Sequence, residues 1–163
     1  MIYIIRHQEG NGLSNCLTQD GIEACVRIAK KLKTMKKLEI YTFPPLMNGH
    51  HVRVIQTASL IGSHLKKFIS LIDFFSCPNY SDNVDILIVT HHSQMQELLS
   101  KYVENTFVWP YQNYDGCLIV SKNAWTFDST FLRSKTNKIV RKLREFIKRF
   151  VWFRSGKNKL TYL

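Results

Sequence analysis

A chain of 163 residues, 45% hydrophobic and 12% aromatic, suits one domain with a full hydrophobic core and is neither disordered nor low in complexity. No apolar run approaches the roughly 20 residues that span a bilayer, and no basic, apolar and small-residue sequence of a secretory signal opens the chain, so a cytoplasmic location is the expectation. The net charge of +11 favours anionic partners and concentrates late: from Lys135 to Lys159, ten Lys or Arg accompany the single acid Glu145.

The first element is the most informative. Ile2 to Ile5 form a β-rich apolar run that stops at Arg6, His7, Gln8 and Glu9, followed by loop-forming Gly10, Asn11 and Gly12. This predicts a buried strand whose carboxyl end presents Arg6 and His7 to a crevice, the edge where open α/β sheets bind ligands. Thr18 is placed as an N-cap with Asp20 in the first turn, and Ile22, Cys25, Ile28, Ala29 and Leu32 recur at helical spacing. Lysines gather at the end of that helix, where the dipole favours cations.

Leu38 to Thr42 read as a second strand, ended by Phe43, Pro44 and Pro45, with a loop to about His51. A helix then carries Val52, Ile55, Ala58, Leu60, Ile61 and Leu65, with Arg53 in or just before its first turn. Residues 70 to 84 read as irregular. Val84 to Val89 give the clearest buried strand, ending in Thr90, His91, His92 and Ser93, and the following helix runs through Met95, Leu98, Leu99 and Tyr102. Cys117 to Ser121 and Ala124 to Phe127, joined by Lys122 and Asn123, predict a hairpin at the sheet margin. A final helix from about Thr136 has an apolar stripe and a strongly basic face. Strand, polar turn and helix repeat in order, so the expected fold is a three-layer α/β/α sandwich on a mostly parallel sheet. It forms one domain over 1–163, with a basic helix and tail at about 135–163.

Four segments together resemble the histidine phosphatase superfamily, the phosphoglycerate-mutase-like proteins. Arg6-His7-Gln8-Glu9 resembles the R-H-G-E signature, and Leu17 to Ala24 resembles L-T-x-x-G-x-x-A. Arg53 to Ala58 resembles R-x-x-Q-T-A, and Ile88 to His91 resembles the V-S-H strand end. The resemblance implies a phosphate site of Arg6, His7, Arg53, His91 and the His92 backbone, with His7 as nucleophile and no metal or cofactor. Chemistry supports those residue types, since a phosphoryl group keeps negative charge through transfer and paired guanidinium donors match its oxygens.

In the family that the chain resembles, many members protonate the leaving group from a glutamate in an insertion between the Q-T-A helix and the last catalytic strand, and that region is short here. Between Ser59 and Val84 the only carboxylates are Asp73 and Asp82. Asp73, with apolar neighbours to raise its pKa, is the first candidate acid, set against a loop aspartate capping its own backbone; Glu9 is the second. The short chain resembles the compact branch of phosphohistidine phosphatases, which implies a phosphorylated small molecule or a phosphoprotein as substrate.

Two departures from the pattern stand out. Gln8 replaces the usual glycine and adds a side chain beside the phosphate site. The stretch from Pro45 to Arg53 is also longer than usual and places His50 and His51 near the pocket mouth or in solvent. Six histidines raise a metal site, yet no H-x-x-x-H or cysteine pair supports one. The four cysteines are spaced as reduced thiols. The basic tail offers nucleic acid or a membrane surface as a partner, so the alternative function is a catalytically weak member that binds phosphate-bearing ligands or nucleic acid. The sequence leaves the oligomeric state open.

Overall fold

A computed structural model describes residues 1–10, 15–44, 52–73, 76–102, 116–122 and 124–128. The chain divides into two compact units, Met1–Leu132 and Arg133–Leu163; the architecture below is that of the first. The expected final helix, the basic tail, and His50 and His51 lie outside the described residues.

The elements are β1 (Ile2–Arg6), α1 (Gln19–Leu32), β2 (Leu38–Thr42), α2 (Val52–Leu65), β3 (Ile69–Leu71), β4 (Asp85–Thr90), α3 (His92–Tyr102), β5 (Cys117–Ser121) and β6 (Ala124–Asp128). They build one six-stranded sheet in the order β3-β2-β4-β1-β5-β6. The first four strands pair in parallel, while β5 runs antiparallel to β1 and β6 antiparallel to β5. The hairpin turns at Ser121 opposite Ala124, as its two-residue connection predicts.

Strand alternation assigns the two faces. Tyr3 and Ile5 of β1 pack with Cys25, Ile28, Leu32, Val54, Ala58 and Ile61, the inward stripes of α1 and α2. Ile2 and Ile4 point the other way, onto Met95, Leu98 and Leu99 of α3. Period-two strands between period-3.6 helices give the three layers. Ile2, Ile4 and Ile5 are fully buried, each contributing about 1.5–3 kcal/mol of transfer free energy.

The strand β3 is an addition to the expected elements. Ile69, Ser70 and Leu71 pair with Ile40, Tyr41 and Thr42 at the sheet margin. Three residues with one inward apolar side chain are too short for a readable alternation, and the sheet supplies the hydrogen bonds that define the strand.

In a parallel sheet each following helix returns against its strand, so α1, α2 and α3 all begin at the carboxyl edge. Three helix N-termini, each with partial positive charge and exposed N–H groups, therefore converge where β1 and β4 end. The fully or nearly buried polar residues gather there too: His7, Gln8, Thr42, Thr90 and, from α2, Thr57.

Candidate active site

The ends of β1 and β4 are latched together. Arg6 pairs with Thr90 in the parallel register, and the His7 N–H donates to the Thr90 carbonyl at 2.9 Å. That latch places His7 and His91 side by side, with ring centroids 4.9 Å apart and ring planes at 44°. His7 is fully buried and His91 partly so.

The chemistry of His7 follows from its neighbours. Its Nδ1 lies 2.8 Å from the carbonyl oxygen of Gln8. A carbonyl only accepts, so Nδ1 carries the proton and the lone pair of the neutral ring resides on Nε2. Burial lowers the His7 pKa from 6.5 to about 4; the Gln8 carbonyl opposes that shift, and the positive fields of Arg53, His91 and Arg6 add to it. The ring is thus neutral at ordinary pH, surrounded by the groups that would bind an anion.

Arg53 sits in the first turn of α2. Its Nε is buried and has no hydrogen-bond partner among the described residues, a costly state for a charged group unless a ligand supplies the missing acceptor. The guanidinium stem passes over Gly10. A Cβ at that position would strike Arg53 Cδ and come within 3.1 Å of its Cγ and 3.0 Å of the Cys16 carbonyl oxygen. Gly10 is therefore the gap through which Arg53 reaches the His7 loop.

The loop itself is held from both sides. The Gln8 N–H donates to the Thr57 hydroxyl at 3.0 Å. The Glu9 carbonyl accepts from the Thr18 N–H at 3.0 Å and from the Thr18 hydroxyl at 3.2 Å. Thr18 also caps α1 as its sequence predicts, its Oγ1 accepting from the Gly21 N–H at 3.1 Å. A Cβ on Gly21 would collide with the Glu9 carbonyl oxygen, so the glycine lets the first turn of α1 lie against the loop. Gln56 completes the frame by accepting from the Leu17 N–H at 3.0 Å.

The positioning roles of Gln56, Thr57 and Gly10 go beyond what sequence reasoning assigned. A signal existed for two of them: Gln56 and Thr57 lie three and four residues after Arg53, on one side of the helix, where a fully buried Thr57 interrupts an apolar stripe. Gly10 carried no local signal, because its role depends on a side chain 43 positions away.

The other expected residues are placed as follows. His92 opens α3, so its backbone lies at a helix N-terminus beside the two rings; its side chain lies outside the described residues. Gln94 accepts from the Thr90 hydroxyl at 2.9 Å and its N–H donates to the His91 carbonyl at 3.0 Å, closing that turn. Gln8 is 2% exposed, and its Nε2 donates to the Arg6 carbonyl at 3.2 Å. Its side chain is therefore folded inward rather than standing in solvent at the pocket mouth. Glu9 is partly buried beside the loop it anchors.

Asp73 is exposed instead of enclosed by apolar neighbours. Its Oδ1 accepts from the Ser76 N–H at 2.7 Å, the backbone-capping arrangement. It follows β3, three strands from β1 in the sheet order, or about 14 Å across at the usual strand spacing.

The sequence matches no family profile and no curated protein, but the fold matches solved structures. The chain is similar to the phosphoglycerate mutase of Plasmodium falciparum, with a TM-score of 0.54 and 18% identity over 84% of this chain and 93% of that one. It also aligns with the protein histidine phosphatase SixA, solved in complex with tungstate, with a TM-score of 0.49 and 14% identity over 78% of this chain and 93% of that one. The architecture is the phosphoglycerate-mutase-like fold. The resemblance of the four sequence segments to the histidine phosphatase superfamily thus holds at the level of the fold, as expected.

Proposed function

We propose that the protein is a phosphatase that needs no metal, hydrolysing a phosphomonoester or phosphoramidate through a covalent phosphohistidine on His7. The observation that carries this reading is the state of the His7 ring. It is buried and neutral, its proton is fixed on Nδ1 by the Gln8 carbonyl, and its lone pair is on Nε2 beside Arg6, Arg53 and His91. A nucleophile for phosphorus needs that lone pair, and a phosphoryl group needs the surrounding cations.

In the first step Nε2 forms a bond to phosphorus as the bond to the leaving oxygen or nitrogen breaks. Arg6 and Arg53 hold the nonbridging oxygens, and N–H groups at the start of α3 add to them. In the second step water attacks phosphorus, the bond to Nε2 breaks, phosphate departs and the neutral imidazole is restored. His91, in ring contact with His7, donates to an oxygen whose charge grows during transfer. The leaving group takes its proton from solvent or from a weak acid such as Glu9. The exposure and distance of Asp73 make it a poor donor, which suits a phosphoramidate, whose nitrogen is protonated more readily than an ester oxygen. A phosphoprotein or a phosphorylated small molecule fits this reading.

The test is a panel of phosphomonoesters, phosphohistidine and phosphopeptides assayed in EDTA, with wild type beside His7→Ala. Turnover of at least one substrate by wild type, falling by at least about 10³-fold in His7→Ala, is the expected result. A wild type that binds orthovanadate but turns over nothing would leave a binding module in place of an enzyme.

A further inference from the structure

The far ends of α1 and α2 lie about 20 Å from the His7 loop, since each helix has 14 residues rising ~1.5 Å apiece. There the chain makes an unusual turn. Lys66 has φ 55°, the left-handed backbone in which glycine is usual, and the turn is closed by Lys66 N–H to the Ser63 carbonyl at 3.2 Å and Lys67 N–H to the Gly62 carbonyl at 2.9 Å. This is a helix-closing motif with a lysine at the position that glycine normally takes, a disfavoured choice of the kind that clusters at functional surfaces.

The turn delivers Phe68 into solvent with 97% of its surface exposed. Lys33, His64, Lys66 and Lys67, with Met35 and Leu65, line an adjoining cavity of about 300 Å³. The charge lining that cavity has one sign, from Lys33, Lys66 and Lys67, with no carboxylate among the lining residues. From Ala24 to Leu38 the sequence holds six Lys or Arg and no carboxylate, and from Val54 to Ile72 it holds two and none. An isolated exposed aromatic needs no explanation by itself. One at a left-handed turn, beside an open cavity lined by three lysines and no carboxylate, is a different arrangement, even with the exposed Glu39 next in register to it.

We propose that this corner docks on an anionic phospholipid bilayer. Phe68 enters the interface between headgroups and acyl chains, while Lys33, Lys66 and Lys67 keep their ammonium groups among the lipid phosphates and the cavity admits a headgroup. A bilayer fits better than single-stranded nucleic acid, which takes successive aromatic platforms to stack successive bases. A single exposed ring suits a continuous apolar layer. Docked in this way, the chain holds the carboxyl edge, with His7 and Arg53, away from the membrane and open to the aqueous phase.

Sedimentation of the full chain with phosphatidylcholine vesicles, with and without phosphatidylserine, tests the proposal. Wild type is expected to bind the phosphatidylserine vesicles alone, less tightly as salt rises. Phe68→Ser is expected to weaken the partition about tenfold, and Lys66→Glu with Lys67→Glu by at least about tenfold. Both changes lie on the surface, and unchanged thermal unfolding by circular dichroism confirms an intact fold. A wild type that ignores the vesicles overturns the proposal. So does binding that survives both variants but is lost in Lys157→Glu with Lys159→Glu, which would place the contact in the tail. Tighter binding to single-stranded RNA than to the vesicles, with the same dependence on Phe68, would assign the surface to nucleic acid and overturn it equally.

Discussion

The two edges of the sheet are both cationic, and they use charge in opposite ways. At the carboxyl edge Arg6 and Arg53 are partly buried and near enough to the buried neutral imidazole to lower its pKa, and the loop after His7 is anchored by Thr18, Gln56 and Thr57. At the opposite edge Lys33, Lys36, Lys37 and Lys66 are exposed on side chains that solvent surrounds. The first arrangement has its loop backbone held before a ligand arrives, and such preorganisation is what stabilising a developing charge requires. The second keeps its rotamer freedom and suits a diffuse anionic surface rather than one phosphate. The difference lies in the anchoring, not in the count of cations.

The largest expected effect comes from loosening that anchoring without removing a charge. Gly10→Ala places a methyl group where Arg53 Cδ now lies and so pushes the guanidinium from the His7 loop. A misplacement of about 1 Å in such a site costs on the order of 10²-fold, so kcat/KM for the best substrate of the panel is expected to drop about a hundredfold. Near-UV circular dichroism would establish that the variant is folded. A folded Gly10→Ala enzyme within threefold of wild type would show that Arg53 does not depend on the gap, and the contrast between anchored and loose cations would lose its main support.

That dependence also marks where the sequence was legible and where it was not. The bounds of β2 (Leu38–Thr42) and α2 (Val52–Leu65), the Thr18 cap and the hairpin could all be read along the chain, because short-range pattern decides them. Arg6, His7, Arg53 and His91 were marked as candidates by the resemblance of four segments, with Arg6, His7 and His91 also standing where apolar strand runs stop. The frame that orients them was less legible. Thr57 to Gln8 and Gln56 to Leu17 are contacts across 49 and 39 positions, set by how α2 packs on β1, and no local pattern encodes them. The exposure of Asp73 was hidden for the same reason: its apolar sequence neighbours suggest enclosure, but at the outer end of β3 the alternation turns Ile72 inward and leaves Asp73 in solvent.

A second expected effect concerns the neutral state of His7, which the exposed edge has no means to impose. In the folded chain the ring takes a proton only near pH 4, whereas its ordinary value is 6.5. Between those two values the unfolded chain holds more protons than the folded one, so stability rises with pH across the window. The contribution is fully present above 6.5, declines on acidification through the window and is gone near 4, a change on the order of 3 kcal/mol. Urea unfolding across this range, for wild type beside His7→Gln, isolates it. The variant is expected to lose less stability on acidification by about that amount. Parallel profiles for the two proteins would mean that burial does not hold the ring neutral, and the lone pair assigned to Nε2 would no longer follow.

The smallest effect is expected at Asp73, which shares the carboxyl edge with His7 but not its enclosure. A general acid must be protonated when the leaving group departs and must touch the departing atom. Asp73 is exposed, has its Oδ1 engaged by the Ser76 N–H and lies three strands from the nucleophile. Asp73→Asn keeps the shape and the Ser76 contact while removing the titrating group. Its rate on a series of aryl phosphates is expected to stay within about twofold of wild type at every leaving-group pKa, because an acid that contributes nothing leaves the Brønsted slope unchanged. A defect that grows with leaving-group pKa would instead show that the β3 end closes over the substrate and brings this carboxyl to the leaving atom. Position along the edge, rather than burial, would then decide which groups take part.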